Sequence, residues 1–213
     1  TRFLQTGAYQ PLSDALNELL LSACGTDCTV LDAGCGEGYY AARLLSAFQE
    51  AGRALTLCGI DISKAAVKTA ARHAGGGQGR FAVASVYDVP LPDRSLDAAY
   101  SVFAPLCPPE LYRLLRGEGA FLLVQAGKRH LYGLKELLYE KPYENPEREE
   151  RLEGFRLLER KRLTWELHLQ GRQQILSLFQ MTPYYYKTPA QAAAKLERVE
   201  ELQTEVDFVI SDY

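Results

Sequence analysis

Apolar residues recur along the chain in two rhythms that alternate. Leu12, Leu16, Leu19 and Leu20 lie at helical spacing and predict an amphipathic helix over Pro11 to Ala23. The run Thr29 to Ala33 predicts a short buried strand that ends in glycines, and helical periodicity resumes over Tyr39 to Gln49. A strand at Leu55 to Ile60, a helix at Lys64 to His73 and a strand at Phe81 to Ala84 follow, then strands at Ala98 to Phe103 and Phe121 to Gln125 flanking a helix at Pro109 to Leu115. Strands alternating with helices predict an α/β fold, a doubly wound and mostly parallel sheet covered on both faces.

The rhythm changes near Lys128. A helix at Leu131 to Tyr139 gives way to a charged stretch through Pro142, Pro146 and Arg151, then to an alternating strand carrying Leu163, Trp165, Leu167 and Leu169. A helix near Ile175 to Phe179, an aromatic loop at Tyr184, Tyr185 and Tyr186, a helix from Pro189 to Leu202 and a last strand from Val206 to Ile210 complete the chain. The tail thus predicts an antiparallel terminal hairpin around a helical insertion. The glycines at 75–77, and Gly117 with Gly119, read as helix stops and turns. No repeat of fixed period appears.

With 213 residues, 47% of them hydrophobic and 24% charged, the chain suits one domain, with 1–25 as a lead-in helix and 128–205 as additions. No uncharged apolar run reaches the roughly 18 residues of a membrane span, and the opening segment is polar, so a cytoplasmic protein without membrane contact is expected. The net charge of -3 neither advertises nor excludes a nucleic acid. Five cysteines, Cys24, Cys28, Cys35, Cys58 and Cys107, suit reduced buried thiols, and no second pair completes a metal site around Cys24 and Cys28. No metal is expected.

The chemistry concentrates where the first predicted strand meets its helix, at Asp32-Ala-Gly34-Cys-Gly36-Glu37-Gly38. Glycines there let the backbone turn tightly and approach a ligand, and the next helix opens with free N–H groups. The spacing is G-x-G-x-G rather than the G-x-G-x-x-G of dinucleotide sites, and an acid precedes it. Asp32 would repel a pyrophosphate but accept a bond from a cationic amino group, which favours S-adenosylmethionine over NAD. Asp61, at the end of the neighbouring strand, can accept from both hydroxyls of a ribose, and Ser85, at the end of the third strand, borders the space for an adenine. Taken singly, the glycines need only a tight turn and the acids only helix caps. Their joint placement at adjacent strand ends is what a nucleoside site requires.

Asp32 to Gly38 is similar to the first motif of class I S-adenosylmethionine-dependent methyltransferases, whose Rossmann-like sheet ends in an antiparallel hairpin. Gly7-Ala-Tyr9-Gln-Pro-Leu12, Gly36 to Tyr40, Asp61 to Lys64, Arg129-His130-Leu131, Leu152 to Phe155 and Gln180 to Pro183 narrow the match. Together they resemble the bacterial 23S rRNA guanine-N1 methyltransferases over nearly the whole chain. The resemblance implies methyl transfer from S-adenosylmethionine to N1 of a guanine in a 23S rRNA hairpin, with Tyr9, Gly36, Glu37 and His130 contacting the cofactor and Asp32, Gly34, Gly38 and Asp61 in the usual positions. From the residues alone, His130 reads equally well as a strand-end cap or a solvated side chain.

The family's amino-terminal zinc ribbon is missing, so this chain is expected to be a piece of a longer protein. The partner implied is 23S rRNA, with no DNA and no membrane, and a homodimer is left open. Phe103-Ala-Pro-Leu106 carries no Asn or Asp, which argues against an exocyclic adenine amine as acceptor. No carboxylate or imidazole announces itself as the base for the N1 proton, so the catalytic residue stays unassigned.

Tyr39, Tyr40 and Tyr184 to Tyr186 are candidates for base stacking or for ordinary packing. Lys128, Arg129, Lys135 and Lys141, then Arg148, Arg151, Arg156, Arg160, Lys161 and Arg162, offer phosphate contacts, though glutamates interleave with them. Two competing readings keep the nucleoside site: a methyltransferase of a small metabolite, and a non-catalytic ribosome-binding module.

Overall fold

The computed structural model describes residues 3–74, 79–147 and 151–213. Its elements in chain order are α1 (Gln10–Ala23), β1 (Asp27–Ala33), α2 (Tyr39–Glu50), β2 (Ala54–Asp61), α3 (Lys64–His73), β3 (Gly79–Val83), β4 (Leu96–Val102), α4 (Pro108–Leu114) and β5 (Leu115–Ala126). Then come α5 (Tyr132–Leu138), β6 (Glu159–Gln170), α6 (Arg172–Met181), the single turns α7 (Tyr184–Lys187) and α8 (Ala190–Ala193), and β7 (Glu201–Asp212). One seven-stranded sheet has the order β3-β2-β1-β4-β5-β7-β6.

The ladders β1 with β2, β1 with β4, β2 with β3 and β4 with β5 are parallel. At its far end β7 runs antiparallel to β5, since Phe121 and Tyr213 exchange both backbone bonds. This is the expected doubly wound α/β sheet with a reversed terminal strand. Because the chain leaves β1 for β2 on one side and later returns to β4 on the other, a crevice opens at the carboxyl end of β1, where such sheets bind ligands.

The chain falls into two compact units. The larger holds 11–125, 149–161 and 210–213, and the smaller 1–10, 126–148 and 162–209. In the larger, Leu31, Ile60, Leu96, Leu114, Phe121 and Tyr213 belong to one core of buried side chains. β1 is buried along nearly its whole length because a central parallel strand is covered on both faces. In the smaller, Tyr9 packs edge to face on Trp165 and Phe208, which lie tilted against each other. Among the described residues no helix is long and apolar enough to cross a membrane.

Four expectations change. The helix foreseen from Pro189 to Leu202 stops at Arg198 after α8 and a 3-10 turn, and Leu202 belongs to β7. Leu202, Thr204, Val206 and Phe208 are buried at a period of two, which is the period of a strand. Gly117 and Gly119 lie within β5, where the ladder to β4 slips between Leu96 and Ala98, so they serve an irregular strand and not a loop. The aromatic loop is instead the helical turn α7. Cys24 and Cys28 are joined by a disulfide, leaving Cys35 and Cys58 as buried thiols and Cys107 half-buried. The glycines at 75–77 lie outside the described residues.

Candidate nucleoside site

In the larger unit, β1 delivers Asp32 and Ala33 into a turn whose glycines all adopt left-handed backbone, Gly34 at φ 87°, Gly36 at 52° and Gly38 at 78°. Two of them are held by contact as well. A Cβ on Gly34 would overlap Ala104, and one on Gly38 would come within 2.9 Å of the α3 backbone at Ala70. Gly36 differs: nothing lies within 4 Å of where its Cβ would be. Gly36 is therefore kept by its backbone conformation and not by packing, and it leaves room for a ligand to approach the turn.

The turn is hung on β2. The Gly34 and Cys35 N–H groups donate to the Ile60 carbonyl at 2.9 and 2.8 Å, and the Gly36 N–H donates to Asp61 Oδ2 at 3.0 Å. Asp61 Oδ1 accepts from the Ser63 N–H at 2.8 Å, and Ser63 caps α3 by accepting from the Ala66 N–H. Both carboxyl oxygens of Asp61 are thereby held in place at the end of β2. Beside it, Ile62 is 80% and Val83 54% exposed, and Ser85 is half-buried in the turn where it pairs with Asp88. Ile62, an exposed apolar side chain directly after the strand-end acid, is a further candidate at this site.

Asp32 is buried, and its Oδ2 has no hydrogen-bond partner among the described residues. Its register partner on β4 is Tyr100, whose buried hydroxyl is also unpartnered by bond geometry. Burial pushes the Asp32 carboxyl up to about 7; the nearby Tyr100 hydroxyl opposes this and the Asp61 charge adds to it. A buried carboxylate without a partner is costly unless something cationic completes it. An ammonium group at the turn would do so. The orphaned oxygen, the open glycine and the fixed acid on β2 fit the amino group, backbone approach and ribose that S-adenosylmethionine presents.

Tyr9 and His130 belong to the smaller unit, where they lie 6.2 Å apart as ring centroids. His130 is buried, its Nδ1 accepts from the Asp207 N–H at 3.3 Å, and its ring lies 4.6 Å from Phe208. Burial drives its pKa down to about 3, so it stays neutral, and burial likewise raises the Tyr9 phenol far above its ordinary range. His130 is neither solvated nor a bare cap.

Asp207, fully buried, pairs bidentately with Arg162 at 2.8 and 2.7 Å and accepts from the Arg129 N–H at 2.9 Å. Burial alone would raise its pKa, but those partners hold it below the usual value. The members of this clamp, at 129, 162 and 207, are far apart in the chain, so no local pattern marks it.

Two candidate surfaces are corrected. Lys135 is fully buried, donating to the Tyr143 carbonyl at 2.9 Å and Asn145 Oδ1 at 2.7 Å, so it cannot meet a phosphate. Tyr184 is buried near it, leaving Tyr185 and Tyr186 as the exposed members of that trio. Arg148 lies outside the described residues.

The fold and this site define a class I S-adenosylmethionine-dependent methyltransferase, and a methyltransferase-domain family profile matches residues 30–119. YxjB of Bacillus subtilis strain 168, named by inference as a 23S rRNA (guanine-N(1)-)-methyltransferase, is 30% identical over 97% of this chain and 74% of its own. A 23S rRNA (guanine(748)-N(1))-methyltransferase of Streptomyces fradiae is 40% identical over 63% of this chain and 47% of its own, so the chain spans about half of that relative. The chain belongs to the class I methyltransferase family related to the 23S rRNA guanine-N1 methyltransferases. Of solved structures, YcgJ of Bacillus subtilis shares the fold with a TM-score of 0.60 at 19% identity, covering 93% of this chain and 97% of that one. One from Anaeromyxobacter dehalogenans, described by inference as a type II methyltransferase, reaches 0.62 at 23% identity, covering 93% and 94%.

Proposed function

We propose that this protein transfers the methyl group of S-adenosylmethionine to N1 of a guanine in a hairpin of 23S rRNA, in the cytoplasm. The near full-length similarity to YxjB carries the substrate, and the orphaned Asp32 carboxyl below the open glycine carries the cofactor. When bound, the cofactor supplies an electrophilic methyl on a sulfonium.

The chain's own residues then supply alignment. Asp32 takes the ammonium group; Asp61 takes the ribose hydroxyls; Ile62, Val83 and Ser85 border the adenine; Gly34, Gly36, Glu37 and Gly38 let the backbone approach. Tyr9 and His130 are cofactor candidates by the family resemblance alone. Residues 128–205 act on the substrate side.

The test is primer extension on unmodified 23S rRNA incubated with the full-length protein and S-adenosylmethionine. A methyl on N1 blocks Watson–Crick pairing, so a cofactor-dependent stop at one hairpin guanine is expected. Cofactor binding without any stop would refute the guanine-N1 reading.

A further inference from the structure

Among the described residues, three buried side-chain atoms lack a hydrogen-bond partner: Asp32 Oδ2, the Tyr100 hydroxyl and Ser101 Oγ. Two of them belong together. Asp32 on β1 and Tyr100 on β4 are register partners in a parallel ladder, so their side chains leave the sheet on the same face, while Ser101 points to the other. Tyr100 is fully buried, and a buried tyrosine hydroxyl ordinarily finds a partner. Phenylalanine would fill the same space without an orphaned oxygen. A hydroxyl kept there at a cost to stability needs a reason.

The surroundings of the carboxyl supply one. Asp61 from β2, Tyr100 from β4 and Cys35 from the glycine turn lie around Asp32, and Tyr40 of α2 acts on Tyr100 in turn. None of these groups is a cation. Burial and the Asp61 charge disfavour the ionised form of Asp32, and Tyr100 is the group that favours it. Burial raises the Cys35 thiol and pushes the Tyr100 phenol well above its ordinary range, so both keep their protons at neutral pH. Tyr100 therefore has an O–H to donate and Asp32 an oxygen to accept it, and the two lie close without meeting bond geometry. A carboxylate has lone pairs enough for a hydroxyl and an ammonium group together.

We propose that Tyr100 is a positioning residue for cofactor binding: its hydroxyl donates to the Asp32 carboxylate as the ammonium group of S-adenosylmethionine docks, and fixes that carboxylate in the orientation that meets the charge. The same bond favours the carboxylate over the neutral acid. This rests on the reading of Asp32 as the acceptor of the ammonium group.

The experiment measures S-adenosylmethionine binding to the full-length protein by calorimetry across about pH 6 to 9, with Tm alongside, for wild type, Tyr100→Phe, Asp32→Asn and the double variant. Tyr100→Phe removes only the orphaned oxygen, so its Tm at about pH 6 should match or exceed that of wild type. At about pH 8 its cofactor affinity should fall roughly three- to tenfold. The decline of affinity toward acid should set in about one pH unit higher than in wild type, because losing a donor to the carboxylate raises the Asp32 pKa further. In the Asp32→Asn background the same substitution should change affinity less than about twofold. An unchanged affinity and pH profile in Tyr100→Phe would overturn the role of Tyr100 while leaving Asp32 in place. So would a loss that is equal at every pH, that tracks a lowered Tm, or that persists in the Asp32→Asn background. Wild-type affinity in Asp32→Asn would overturn the Asp32 reading and this proposal with it.

Discussion

Asp32 and Asp207 are both buried aspartates, 2% and 0% exposed, one in each compact unit, and their surroundings drive them in opposite directions. Asp207 is satisfied by a guanidinium and a backbone N–H, and its carboxyl is held ionised. Asp32 faces a tyrosine hydroxyl and another acid, one of its oxygens has no partner, and its pKa rises to about 7. Equal burial thus hides unequal purposes. A completed charge holds its own fold together, while an incomplete one is poised for something from outside.

The largest effect expected from breaking this contrast is on stability. Asp207→Ala takes away the bidentate partner of Arg162, leaving it only Glu147 at 3.4 Å, and removes the acceptor of the Arg129 N–H, so urea unfolding should show a loss of about 3 kcal/mol, the low end for a broken buried pair because Arg162 is half exposed. The loss should shrink in acid: a depressed carboxylate contributes above its unfolded pKa of about 3.9 and stops contributing as pH falls through its folded value.

Asp32→Asn should do the reverse. Its unfolding free energy at pH 8 should equal or exceed that of wild type, since a raised carboxylate weakens the native state progressively as pH climbs through 7. Its affinity for S-adenosylmethionine by calorimetry should fall roughly 10- to 100-fold, the worth of a charge-assisted bond. Wild-type affinity should itself decline below pH 7, because protons compete with the ammonium group for the carboxyl, whereas that of Asp32→Asn should be flat. A parallel decline in both would remove Asp32 from cofactor binding.

The smallest change sharpens the same point. Gly36→Ala introduces a methyl group into open space at a positive φ, costing about 1 kcal/mol of stability through strain alone. Cofactor affinity measured on the folded variant should nonetheless drop, because that methyl stands where a ligand is expected.

The glycine turn and its two acids were legible because strand, turn and helix are local patterns. What escaped is non-local. The Asp207 clamp joins Arg129 and Arg162, and Lys135 lost its expected surface role because Tyr143, Asn145 and Tyr184 enclose it from other segments. The left-handed backbone at Phe103, φ 58°, is an angle that no residue type announces. The β7 start was misread for a plainer reason: Leu202 follows a helical run and shares its composition.

The clamp also ties Asp207 to Gly127. The Asp207 carboxyl fills the space a methyl group at 127 would occupy, and the Gly127 N–H bonds the Asp207 carbonyl. For the sequence as it drifts, these two distant positions form a single heritable choice: any side chain at 127 must first evict the acid, and any larger residue at 207 finds only a glycine's worth of room. The order is therefore fixed: residue 207 has to shrink before residue 127 can grow.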